Sequence, residues 1–173
     1  MLAKKQLDLI ERGEGKFNRV LSNFYIEGCY KHKFDDFGTY DFSDCYMIID
    51  ESSIDCDNRD WANFTKPKLI ATVLHGHYNA ELVFFSQDPR GIDRKIQSCR
   101  EKVYWIRKLG EWSFALNMPL IIDVDENKQP MYGVKKPGIF EMITSLKCYR
   151  PNYYHMHDSY WKPELPQIEF EKW

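Results

Sequence analysis

The run DPRGIDRKIQSCREKVYWIRKLG, from Asp88 to Gly110, carries the clearest periodicity in this chain. Ile92, Ile96, Cys99, Val103, Ile106 and Gly110 recur in alternating steps of four and three, the repeat that keeps side chains on one side of an α-helix. Asp88 and Pro89 come just before it. The first is a carboxylate able to cap free N–H groups, and the second lacks an N–H where the first helical turn leaves it unused. The spacing predicts one amphipathic helix over about 89–109.

Around that helix the chain reads mostly as strands. Ala3, Leu7 and Ile10 fall at helical spacing before Gly13 and Gly15 stop the run, so a short N-terminal helix is expected. FNRVLSNFYIEGCYKHKF is rich in aromatic and β-branched residues, broken by Gly28, and reads as one or two strands. A further strand is expected from Cys45 to Ile49, followed by a loop through ESSIDCDNRDWANFTKP. KLIATVLHGH, after Pro67, is apolar on both faces and reads as an inner strand, with AELVFF as its hairpin partner and a turn near Gly76 to Asn79. MPLIIDVDENKQPMYGV reads as strand, turn over Asp125 to Gln129, and strand. IFEMITSLKCY is compatible with helix or strand. The closing residues, with Pro151, Pro163 and Pro166, are expected to be an irregular, Pro- and aromatic-rich tail. The fold class expected is α+β, with an antiparallel or mixed sheet packed against the long helix. Residues 1–150 form one domain in this reading, and 151–173 an extended tail packed on it.

A chain of 173 residues buries enough surface to fold without staples. Aromatic side chains make up 16% of it, a composition that suits a dense core or a contact surface. The cysteines, Cys29, Cys45, Cys56, Cys99 and Cys148, are odd in number and form no C-x-x-C. That pattern disfavours a disulfide framework or a cysteine-type zinc site and suits free thiols in a reducing compartment. The N-terminus has no apolar signal core and no run approaches the length of a membrane span. A cytoplasmic protein without a membrane partner is expected.

The formal charge of −2 hides two opposed poles. Between 35 and 60, Asp35, Asp36, Asp41, Asp44, Asp50, Glu51, Asp55, Asp57 and Asp60 face Arg59 alone. Between 90 and 108, Arg90, Arg94, Lys95, Arg100, Lys102, Arg107 and Lys108 outnumber Asp93 and Glu101. On a helical projection Trp105 lies outside the apolar stripe, among these cations. Cations suit phosphates and an exposed indole suits a base. The segment DCDNRD is not a calcium loop: Arg59 stands at a ligand position, and the glycine and distal Glu are missing.

Four of the five histidines form two H-x-H pairs, His75 with His77 and His155 with His157. On a strand, residues two apart share a face, so each pair aims two imidazoles one way. With Glu81 and Asp158 they make a candidate site for Zn, Fe or Mn. HGHYNAE, His75 to Glu81, resembles the first motif of the cupin family, which implies a metal in a β-barrel. The glycine before the first His and the second cupin motif do not appear. LSNFY at Leu21 and DSYW at Asp158 are similar to the opening and closing motifs of the NADAR N-glycosidase-like family, whose central Glu-His pair is absent.

The function expected from the sequence is a small non-catalytic binding or regulatory protein. It docks onto nucleic acid, or a protein complex acting on it, through Arg90, Arg94, Lys95, Arg100, Lys102, Trp105, Arg107 and Lys108. It needs no cofactor, and no catalytic residue is assigned. The alternative is a metal-dependent hydrolase, of the phosphodiesterase or nuclease kind, at His75, His77, Glu81, His155, His157 and Asp158. A third is an inhibitor whose acidic Asp35 to Asp60 segment mimics a polyanion for a protein partner.

Overall fold

The computed structural model describes residues 2–33, 36–51, 65–87, 92, 94–124, 130–134, 137–138, 140 and 143–156. The chain runs α1 (Leu2–Glu11), β1 (Arg19–Ser22), β2 (Tyr30–Lys31), β3 (Cys45–Ile49), α2 (Lys66–Leu74), β4 (Glu81–Phe84) and α3 (Arg94–Ser98). It continues with β5 (Val103–Leu109), β6 (Trp112–Met118), β7 (Leu120–Val124), β8 (Pro130–Val134) and β9 (Leu146–Tyr149). Segments of 3-10 helix follow α2 at His75–Tyr78 and β9 at Arg150–Met156.

The first sheet is wholly parallel, in the order β2-β1-β3-β4. Every residue of β3 is buried, as expected of an inner parallel strand covered on both faces. Alternation divides its side chains. Cys45, Met47 and Ile49 join Leu21 of β1 against Phe37, Phe42, Ala71 of α2, and Ile92 and Ile96 beside and within α3. Tyr46 and Ile48 join Val20 against Phe17 and Ala3 of α1, with Leu7 and Ile10 packed around them. The helices therefore lie on both faces of this sheet.

The N-terminal helix, the strand Cys45–Ile49 and the pair of strands around Gly28 form as expected. The described chain is a mixture of helices with parallel and antiparallel sheets. Three expectations fail. KLIATVLHGH is not a strand: α2 takes it up. Pro67 sits in its first turn, where it favours a helix start, and Lys68, Ala71 and Thr72 fall on one buried side. Its apolar run of about the length of a strand satisfied either period. AELVFF does form β4, but beside β3 in parallel register, Tyr46 opposite Glu81, and not in a hairpin.

The long helix over about 89–109 is not present either. α3 covers Arg94–Ser98 only, and the chain turns where Cys99 N–H bonds Ile96 O and Arg100 N–H bonds Gln97 O. Val103 to Leu109 is then a strand paired antiparallel with β6, Val103 opposite Met118 and Leu109 opposite Trp112. Gly110 was the last step of the apolar stripe; it is the first residue of a two-residue hairpin turn, at φ +54°. Val103, Tyr104, Trp105 and Ile106 are four strong strand formers in succession, and the pairing they gain outweighs the helical spacing. Asp88 and Pro89 lie outside the described residues.

β9 pairs with β6 to complete a three-stranded antiparallel sheet, β5-β6-β9. That decides IFEMITSLKCY at its end, where Leu146–Tyr149 is strand. β7 and β8 form a separate antiparallel pair, Leu120 opposite Val134, as MPLIIDVDENKQPMYGV implied. Arg150–Met156 returns toward the parallel sheet, and Glu27 N–H bonds Met156 O at 3.1 Å.

Candidate functional sites

Directly opposed residues of an antiparallel pair project to the same face. One face of the β5-β6-β9 sheet therefore carries Trp105, Arg107 and Leu109 with Leu116, Phe114 and Trp112 of β6, and Lys147 and Tyr149 of β9. Leu116 and Met118 are buried at the base of this face. Toward the hairpin tip Trp105, Trp112 and Tyr149 remain 43%, 46% and 40% exposed. The Arg107 guanidinium lies 4.0 Å from the centre of the Trp105 ring, a cation–π contact, and the Trp112 and Tyr149 rings are 5.2 Å apart. The tip is braced from behind. Arg150 N–H bonds Glu111 O at 2.9 Å, the Arg150 guanidinium bonds Gly110 O, and the Tyr154 hydroxyl donates to Glu111 Oε2 at 2.9 Å. These bonds tie the hairpin tip to the chain that follows β9.

The expected basic surface is thereby divided. Trp105 and Arg107 share the aromatic face, whereas Lys108 pairs with Ser113 on the opposite one, beside Tyr104 and Ile106. Lys102 is exposed just before β5. Arg100 is half-buried, its Nε has no hydrogen-bond partner, and desolvation lowers its pKa. Arg94 and Lys95 lie in α3, and Arg90 falls outside the described residues. Sequence reasoning missed Trp112, Phe114, Lys147 and Tyr149. The signal was the period-two alternation in WSF at Trp112–Phe114.

Of the two histidine pairs, His75, His77 and His155 lie among the described residues. His75 and His77 occupy the 3-10 turn after α2, so their side chains do not share a strand face. His75 Nδ1 is 2.7 Å from Thr72 O, a bond within its own helix end. Glu81 opens β4, and His155 lies in the last 3-10 segment. His157 and Asp158 lie outside the described residues. Among the described residues no group of three or more His, Cys, Asp or Glu side chains is placed to hold a metal ion.

A second place of interest is the carboxyl edge of the parallel sheet. The Asn23 side chain bridges the ends of β1 and β3, its Nδ2 donating to Asp50 O at 3.0 Å and its Oδ1 accepting from Asp50 N–H at 2.8 Å. Glu51 follows at φ +49°, an uncommon conformation for that residue type, and accepts a bond from Gln87 Nε2 at 2.8 Å beyond β4.

The third is a cavity of about 420 Å³ between β1, β2 and the segment 36–41, lined in part by Arg19, Lys31, His32, Lys33 and Tyr40. His32, the one histidine outside the two pairs, is 5% exposed. Burial pulls its pKa down to about 4 against a smaller opposing pull from Asp36.

No family model and no curated protein matches this sequence. Among solved structures, the N-terminal domain of the zonular occludens toxin from Neisseria meningitidis is similar at 13% identity, over 82% of this chain and 91% of that one, with a TM-score of 0.47. No helix among the described residues is long and apolar enough to cross a membrane.

Proposed function

We propose that this protein binds single-stranded nucleic acid, or the nucleic-acid-bearing face of a complex, on the aromatic side of its three-stranded sheet. One observation carries the reading: Trp105, Trp112 and Tyr149 stand exposed on one sheet face with Arg107 and Lys147 between them. Aromatic rings on a sheet stack bases and tolerate any sequence, while interleaved cations neutralise the phosphates. Arg100 and Lys102, just before β5, extend its positive field, and Arg90, Arg94, Lys95 and Lys108 belong to the same basic stretch of sequence. No chemistry is assigned to the surface, so the role is binding or regulatory.

Anisotropy of a labelled single strand of about 20 nucleotides tests this. Affinity should fall steeply as salt rises from about 50 to 200 mM. Trp105→Ala should weaken binding roughly ten- to hundredfold, the loss of one stacked base. Arg107→Glu should flatten the salt dependence. Affinity that ignores salt, or that both variants leave unchanged, would remove the proposal.

A second reading rests on the strand order. In the order β2-β1-β3-β4 the chain leaves β1 on one side and returns on the other, so a crevice opens between the carboxyl ends of β1 and β3. Open parallel sheets take ligands at that point. Asn23, Asp50, Glu51 and Gln87 gather there. We infer a phosphate-bearing ligand bridged to Asp50 and Glu51 by a divalent cation, which needs few carboxylates when phosphates complete its shell. Magnesium together with a nucleoside triphosphate should raise Tm more than either alone, and Asp50→Asn should abolish the increment. A Tm indifferent to the combination excludes it.

A further inference from the structure

We propose that the cavity beside β2 is a binding site for a phosphate group, free or carried as a phosphomonoester. Its rim brings together cations from separate parts of the chain: Arg19 from the start of β1, Lys31 from the end of β2, and Lys33 just beyond. All three are exposed, and Arg19 lies beside Cys45 and Asp41 within the same lining. Buried beneath the three cations, His32 offers a ring edge that no described residue uses. Its Nδ1 is 2.5 Å from the Tyr40 hydroxyl, whereas its Nε2 is buried without a hydrogen-bond partner.

A buried polar nitrogen left unpaired is costly, and its position among cavity-lining residues points to an acceptor that arrives from outside. The ring is neutral. Burial also pushes the Tyr40 hydroxyl up to about 12, and in the proposed tautomer that hydroxyl donates to Nδ1. The ring proton then sits on Nε2, which makes that atom a donor.

Donors converging from several elements suit a tetrahedral oxyanion, which accepts bonds in several directions, better than a planar carboxylate. Asp36 and Asp41 also line the cavity and temper its field. The Asp41 carboxylate is engaged, accepting from Ser43 N–H at 2.9 Å and Ser43 Oγ at 2.6 Å. The three cations still exceed the two carboxylates, and Leu21 and Cys45 give the lining apolar surface. The volume is within the range of small-molecule sites, leaving room for an organic group behind the phosphate. This site is separate from both surfaces proposed above, and none of its residues belongs to them.

The test is a titration of the ¹⁵N-labelled full chain, followed through its histidine ring nitrogens near pH 7.5. Inorganic phosphate up to about 20 mM is compared with sodium chloride of equal ionic strength, because a weak site has a Kd near millimolar. Phosphate should move the His32 Nε2 resonance to saturation while chloride does not, and Arg19→Gln should raise Kd at least about tenfold. Arg19 and Lys31 are exposed, so Arg19→Gln and Lys31→Gln keep the test sound if His32→Gln fails to fold. Glycerol 3-phosphate then separates the sources. Binding tighter than that of phosphate, with movement of Tyr40, assigns a phosphomonoester; equal or weaker binding assigns the free ion. A His32 ring unmoved by both phosphates, or moved equally by chloride, overturns the proposal, as does a proton found on Nδ1 or an unchanged Kd in Arg19→Gln and Lys31→Gln.

Discussion

Gly38→Ala should destabilise the protein by roughly 2–5 kcal/mol, combining left-handed strain with overpacking. Gly38 has φ +86°, and a Cβ there would stand 2.5 Å from Pro67 O and 2.7 Å from Pro67 C. Those are backbone atoms of the first turn of α2, and they cannot rotate aside. The segment and the helix approach this closely because Phe37 and Phe42, in contact at 4.9 Å between ring centres, fill the gap between α2 and the parallel sheet. Gly13→Ala provides the comparison. It has φ +68° with nothing within 4 Å of the added carbon, so it carries the backbone strain of about 1–2 kcal/mol alone. Urea unfolding of both variants decides the matter; equal losses would mean that the contact with Pro67 is not tight.

Acid should weaken the fold well before its carboxylates titrate. An unfolded histidine has a pKa near 6.5, while buried His32 sits at about 4. Between those values the unfolded chain takes up a proton that the folded chain refuses, so stability falls as pH falls. The contribution is fully present above about 6.5 and lost on the way to about 4. From pH 6.5 to 5 the loss should be roughly 2 kcal/mol, at 1.36 kcal/mol per unit. Urea midpoints across that interval measure it, and an NMR titration of the His32 ring should show no protonation above pH 5. A midpoint that stays level from pH 7 to 5 would contradict the burial of this ring.

Elements with a single reading were legible. β3 is an apolar run too short for a helix and bounded by acidic turns, and it lies where Cys45 to Ile49 predict it. Ala3, Leu7 and Ile10 give α1 in the same way. Where a segment satisfies two periods, local pattern does not choose. Residues 103–109 fit a helical stripe and a strand alike, and the choice falls to β6, whose pairing depends on a turn at Gly110 that reads in sequence as one more small residue on the stripe. KLIATVL has the converse problem, with Pro67 tipping it to helix. The parallel arrangement was hidden because it depends on crossovers that place β3 beside β1 and β4 beside β3.

The sites divide in the same way. Trp105 and Arg107 were identifiable from their types, and their secondary structure affects only which neighbours they keep. Trp112 and Tyr149 reach Trp105 through strand register, which no spacing between 105 and 149 reveals. His32 was passed over because it stands alone in the sequence. Its interest comes from Tyr40 on one nitrogen and no partner among the described residues on the other.

The two sheets also differ in how soon they can form. The pairings that β3 makes in the parallel sheet join segments far apart, with Arg19 beside Cys45 and Tyr46 beside Glu81, so a loop must close before any bond rewards them. β5 and β6 are joined by a two-residue turn, and such hairpins close in about 1–10 μs. During folding the Trp105 hairpin thus has its strands in register while the parallel layer is still searching for its partners.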